Sequence, residues 1–144
     1  LSAAADTSHP PLVCSLAGLP GEFGSNIDGA KGAQRLAEAL KVNKGLKWLF
    51  LYYNQIGDAG AAALAEAVKA NTVLERLWLQ GNKIGDAGAR ALVGAWQSSS
   101  SLKDLGIKDQ EGGHLTDAGK EFLRQAKASA PEGKTLEISQ NFGS

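Results

Sequence analysis

Cysteine is almost missing from this 144-residue chain: Cys14 stands alone. A single thiol cannot close an internal disulfide, so nothing in the sequence calls for an oxidising compartment. An excess of charge is missing too, because 15 Lys and Arg balance 15 Asp and Glu. That argues against a general nucleic-acid binder, which carries a basic surplus to match phosphate, and weakens any case for an anionic membrane surface. No run of about 18 apolar residues occurs, so no transmembrane helix is expected. Leu1 to Pro11 is small and polar and does not resemble an intact signal peptide. The chain opens on leucine rather than methionine, which suits a fragment or a processed product. The expected location is the cytoplasm. Apolar residues make up 43% of the chain, enough for one domain with a real core.

What is present is repetition. Between Asn43 and Gly60, and again between Asn71 and Gly88, the same residue types recur 28 positions apart. Leu46 falls on Leu74, Leu49 on Leu77, Leu51 on Leu79 and Asn54 on Asn82. Ile56, Gly57, Asp58 and Gly60 fall on Ile84, Gly85, Asp86 and Gly88. Downstream, Leu102, Leu105 and Ile107 keep the spacing. Gln110 then replaces the asparagine, and Leu115, Asp117 and Gly119 arrive three residues late. Leu136, Ile138 and Asn141 form a last half-repeat, and Asn26, Gly32, Leu36 and Leu40 fit one period upstream. Two placements suit the strand of that first repeat: Glu22–Phe23, or Leu12–Leu16 followed by an inserted loop.

Each repeat reads as a short strand and then a helix. The tight leucine spacing over Leu46, Leu49 and Leu51 suits a strand that points these side chains into a core. Asp58 and Asp86 are placed to cap the helices that follow them, as is Thr116 with Asp117. Leu64 with Val68, and Leu92 with Trp96, lie four apart on one helical face, while Ala61, Ala67, Ala89 and Ala95 keep the helices slim. A lone unit cannot bury its leucines, so units must stack. Strands stand about 4.8 Å apart and helices about 8–10 Å, so the stack must curve with its strands inside.

These motifs resemble the leucine-rich repeats of the ribonuclease-inhibitor type, as found in ribonuclease inhibitor and in the repeat domains of NOD-like receptors. The resemblance covers Asn26 to Asn141. It implies an α/β fold: a leucine-rich-repeat solenoid with a curved parallel sheet on the concave side and helices on the convex side. It divides the chain into an N-terminal extension or irregular cap, residues 1–20, and a repeat domain, residues 21–144, of about four repeats with the last a half-repeat. The scaffold hosts many jobs, so function must come from the site. The leading expectation is a module that recognises a protein partner through its concave strand face. The alternatives are a small-GTPase regulator, by analogy with Ran GTPase-activating proteins, and a structural segment of a larger leucine-rich-repeat receptor or scaffold.

With the leucines inward, the residues between them face the concave surface. These are Trp48, Phe50 and Tyr52, with Tyr53 beside the asparagine; Arg76, Trp78 and Gln80; Asp104, Gly106 and Lys108; and Thr135, Glu137 and Ser139. Aromatics and arginine are the types enriched at binding hot spots, and Arg76 can stack on Trp48 or Trp78. The partner-binding set is therefore Trp48, Phe50, Tyr52, Tyr53, Arg76, Trp78, Gln80, Asp104 and Lys108. Cross-strand aromatic pairs also stabilise sheets that bind nothing, so structural packing stands beside this reading.

The remaining features point to structure. Asn54, Asn82 and Asn141 suit a ladder of side-chain amides satisfying the turns after the strands, and Gly60, Gly88 and Gly119 suit close packing. Trp96 belongs to the core column of Leu40 and Val68, with Lys127 in that column at the end. Gly18, Gly21 and Gly24 lack the context of a nucleotide loop. In the inserted loop, Asp109, Glu111, His114 and Asp117 match no established metal-binding spacing, and a solvated turn or rim contact is expected. Cys14 and His9 lack an orienting third group. No enzyme activity, cofactor or metal is expected. The chain should be a monomer, or a weak dimer through the edge of its last strand.

Overall fold

The computed structural model describes residues 12–15, 29–110 and 112–139. Strands and helices alternate along the chain: β1 Leu12–Ser15, α1 Gly29–Val42, β2 Leu46–Phe50, α2 Gly57–Ala70, β3 Arg76–Trp78, α3 Asp86–Ser98, β4 Asp104–Gly106, α4 Asp117–Ala128 and β5 Thr135–Glu137. The strands form one parallel sheet in chain order. Each helix packs on the helix of the next unit. This is the α/β stack that the repeat requires, one β–α unit per period, with the helices on one side of the sheet.

Of the two placements for the first strand, Leu12–Ser15 is the one realised, paired with β2. These residues thus lie in the sheet, although the sequence division assigned them to an extension ending at residue 20. Glu22, Phe23, Asn26 and Asn141 lie outside the described residues, as do His9, Gly18, Gly21, Gly24 and Glu111.

The leucine columns form the core. Leu49, Leu77, Leu105 and Leu136 face one another in register across the strands, all buried. Leu46, Leu51, Leu74, Leu79, Leu102 and Ile107 fill the rows on either side, with Ile56 and Ile84 at the turns. From the helices come Leu36, Leu40, Leu64, Val68, Leu92, Trp96 and Leu123, also buried. Trp96 donates its indole N–H to the Lys103 carbonyl at 2.9 Å, which satisfies the one polar atom it takes inside. Full burial of a leucine side chain contributes about 1.5–3 kcal/mol, so these columns dominate the stability of the stack.

Two polar ladders close the ends of the strands. At the first, Asn82 donates to the carbonyls of Leu51 (2.7 Å) and Leu79 (2.9 Å), and its Oδ1 accepts from the Asn54 amide at 2.6 Å. Gln110 repeats this one unit later: its Nε2 donates to Leu79 and Lys108 carbonyls, and its Oε1 accepts from the amides of Asn82 and Ile84. The second ladder lies where helix turns to strand. Asn43 Oδ1 accepts from Gly45 and Leu46, Asn71 Oδ1 from Val73 and Leu74, and Ser99 Oγ from Ser101 and Leu102. Asn71 also donates to the Leu40 and Asn43 carbonyls. Two periods on, the equivalent carbonyls of Trp96 and Ser99 receive the Lys134 ammonium instead, at 2.6 and 2.7 Å.

The capping aspartates work across units, which corrects the sequence reading. Helix α2 has no side-chain cap, and Asp58 reaches forward, accepting from Gly85 N–H at 2.7 Å and Gly88 N–H at 2.9 Å at the start of α3. Asp86 does likewise, accepting from the Thr116 amide (2.8 Å) and hydroxyl (2.5 Å) ahead of α4. Thr116 caps α4 as expected, accepting from Gly119 N–H. The forward reach explains the glycine column. A Cβ on Gly88 would lie 2.6 Å from Asp58 Oδ1 and 2.9 Å from Ala61 Cβ, and one on Gly119 would overlap Asp86 Oδ1.

Candidate functional site

The strand face that looks away from the helices is built from alternate residues of β2 to β5 and the residues just beyond them. Register sets them in two rows across the strands: Trp48, Arg76, Asp104 and Thr135 in one, and Phe50, Trp78, Gly106 and Glu137 in the other. Phe50 is the hub. Its ring stacks on Trp78 with centroids 4.7 Å apart, on Tyr52 at 5.9 Å, and stands 6.3 Å from Trp48. Tyr52 and Trp78 are 6.4 Å apart and tilted. All four rings are half-buried.

Charged groups extend the face to either side. The Arg76 guanidinium lies over the Trp48 ring, 4.3 Å from its centroid, so the stacking partner is Trp48 rather than Trp78. Such a pair contributes about 0.5–1 kcal/mol at an exposed site. Trp78 instead donates its indole N–H to Asp104 Oδ2 at 3.2 Å. Arg76 and Asp104 form a long ion pair of 3.9 Å, as Lys108 and Glu137 do at 3.7 Å. Exposed pairs of this kind contribute little, about 0–1 kcal/mol. Burial raises the Asp104 pKa above its ordinary value, against the lowering effect of its bond from Trp78 and of Arg76. Burial also raises the Tyr52 phenol above its ordinary value.

Two members of the expected set sit differently from the rest. Tyr53 leaves the strand with a left-handed backbone (φ 56°) and lays its ring against Gly81, where a side chain would collide with it. It remains 44% exposed, at the rim of the aromatic cluster rather than in it. Gln80 lies toward Gly106, where an added Cβ would stand 2.9 Å from Gln80 Nε2 and 3.1 Å from Trp78 Cδ1. The sequence reading named Gly106 only as a face position. Its role is to leave a floor on which Trp78 and Gln80 lie, and the signal for that was a glycine inside a strand. Gln80 Oε1 and Asp104 Oδ1, on either side of this floor, are buried with no hydrogen-bond partner among the described residues.

The inserted loop folds back on the preceding turn. His114 O accepts from Asp86 N–H at 3.2 Å, and Gly113 lies so close to Lys83 and Ile84 that a Cβ would fall 2.7 Å from their backbone. Asp109 N–H donates to Ser139 Oγ at 2.8 Å, which ties the loop to the last unit. Among the described residues no three His, Cys, Asp or Glu side chains converge into a metal-holding group. No described helix is long and apolar enough to cross a membrane. On the opposite side of the molecule, a shallow groove between α1 and α2 is lined by Lys31, Arg35, Lys41, Glu38 and Glu66. Sequence reading gave no sign of it, because its residues come from two helices with no shared motif.

Comparison with known proteins agrees with this geometry. A leucine-rich-repeat family model matches residues 49–65 and 70–93, the two units in which the sequence repeat is cleanest. No curated protein matches the chain. A solved structure titled leiomodin-1 actin-binding site 2 (ABS2) superposes with a TM-score of 0.66 at 22% sequence identity, covering 78% of this chain and 64% of that one. This chain thus spans somewhat less than two thirds of that neighbour. Repeat motif, β–α stack and these matches together support a leucine-rich-repeat fold of the α/β kind.

Proposed function

We propose that this chain is a protein-recognition module that docks its partner on the strand face around Phe50, and that it binds rather than catalyses. The observation that carries the reading is the stacked cluster of Trp48, Phe50, Tyr52 and Trp78 on a sheet face, where polar side chains are the rule. Rings already stacked on one another lose little freedom on binding, and a partner that covers them removes a large apolar area from water. Arg76 over Trp48 and the Asp104 and Lys108 pairs form a polar rim that orients whatever lies on the rings. The structural neighbour is titled for an actin-binding site, which supports a protein as the class of partner and makes actin one sensible probe.

The test compares wild type with the Trp48→Ser, Phe50→Ser, Trp78→Ser variant in pull-downs from a source lysate and against purified actin, with circular dichroism as the control on folding. Hot-spot truncations cost about 2 kcal/mol each, so a partner held here is lost from the variant. Identical capture by a folded variant sinks the reading.

A further inference from the structure

The helices of this stack have two flanks, and each packs on a different neighbour. The forward flank, toward the next unit, is identified by contact: Ala33 of α1 meets the Gly60 position of α2, and Ala61 of α2 meets the Gly88 position of α3. Carried along the helices, the forward columns read Ala33, Ala37 and Leu40 on α1; Ala61, Ala65 and Val68 on α2; and Ala89, Val93 and Trp96 on α3. All nine side chains are buried. On α4 the same three columns hold Lys120, Arg124 and Lys127, one cation in each. None of the three is buried.

We infer that α4 is built to end the stack: its forward flank rejects a further β–α unit of this kind. A unit laid there in the register of the others would enclose three cations where each earlier junction encloses only Ala, Val, Leu or Trp. Arg124 already pairs with Glu121 on its own helix. The contact made by one of these cations points the same way. Lys127 bends over the end of the sheet and donates to the Leu136 carbonyl at 2.9 Å, at β5. A charged side chain thereby occupies a site that Trp96 fills with hydrocarbon one unit earlier. Terminal units with a polar outer face are what keeps a repeat array from stacking on others.

The opposite end is made differently. The backward columns hold Gly60, Gly88 and Gly119 with Ala67, Ala95 and Ala126 on α2 to α4, and α1 keeps Gly32 and Ala39 in them. Ala39 is exposed. The α1 flank therefore retains the small residues that admit a neighbouring helix, while α4 has lost the partner surface.

This asymmetry supplies the experiment. In the Lys120→Ala, Arg124→Val, Lys127→Leu variant the forward flank again matches α3. One copy can then stack on the α1 flank of the next, a heterologous contact that does not close and so grows. Light scattering with size exclusion should show wild type at constant mass, and the variant rising with concentration to roughly double the mass or more. Adding Ala39→Glu on the receiving flank should return the variant to the wild-type mass. If the triple variant is poorly folded by circular dichroism, the Lys120→Ala, Lys127→Leu variant carries the test: a mass that rises with concentration supports the inference and a constant mass overturns it. The inference is overturned if wild type itself self-associates and Lys120→Glu or Lys127→Glu abolishes that association. It is equally overturned if the folded triple variant stays at constant mass.

Discussion

Asn82 shows how much one side chain carries here. Its carboxamide donates to the Leu51 and Leu79 carbonyls and accepts from the Asn54 amide, all buried. Alanine removes all three bonds from buried backbone groups, of which the Leu79 carbonyl keeps its bond from Gln110, and each such loss costs about 1–3 kcal/mol. Asn82→Ala should therefore destabilise the chain by about 3 kcal/mol, read as a lowered urea midpoint with an unchanged slope. This residue was legible in the sequence because the repeat printed it at a fixed place beside a strand. Its substitute in the next unit was less so. Gln110 looked like a break in the column, yet the longer side chain makes four equivalent bonds. Lys134 was not legible at all, because an ammonium shares neither shape nor spacing with the asparagine whose bonds it makes.

At the scale of the element, the junctions between helices decide which glycines matter. Gly88 and Gly94 both lie in α3, where helix propensity alone favours alanine by about 1 kcal/mol. A Cβ at Gly94 meets nothing within 4 Å, so Gly94→Ala should stabilise the protein by about 0.5–1 kcal/mol. At Gly88 it meets Asp58, Ala61 and Ile84, and overpacking outweighs propensity. Gly88→Ala should cost roughly 2 kcal/mol, and paired thermal melts of the two variants check the opposite signs. Helix positions and their buried faces followed from the 28-residue period. The direction of capping did not: a sequence places an aspartate near its own helix, and only the stacking geometry brings Asp58 to the amides at the start of α3. The aromatic cluster was legible to the level of the strand face, since alternation fixed it. The choice of Trp48 over Trp78 as the seat for Arg76 depended on Asp104 holding the Trp78 indole.

Across the whole molecule, stability is passed from unit to unit, because each packs only on its neighbours. The last junction depends on Asp86. The Thr116 hydroxyl, with its amide next and Arg90 after, lowers the Asp86 pKa below its ordinary 3.8. A carboxyl with a lowered folded-state pKa contributes stability that is complete above the unfolded value and lost as pH falls through the folded one. Acid should therefore loosen α4 before α2. Hydrogen exchange taken at pH 5 and again below 3.8 should show protection lost first across residues 117–128, and Asp86→Asn should remove most of the difference between the two pH values. Loss of protection in α2 at the same pH would count against a junction governed by Asp86.

The late arrival of the fourth helix has a consequence for how such a chain can change over evolutionary time. Three extra residues enter between β4 and α4, yet β4 and β5 pair column for column, as β2 does with β3 and β3 with β4. Gln110 spans the altered turn with one more methylene, and the slack is taken up in a glycine-rich bend folded onto Lys83 and Ile84. Insertion length and strand alignment are thus separate variables in this architecture. A lineage can lengthen the rim at one unit, and so reshape the edge of the surface that a partner meets, without disturbing the ring cluster on β2 and β3.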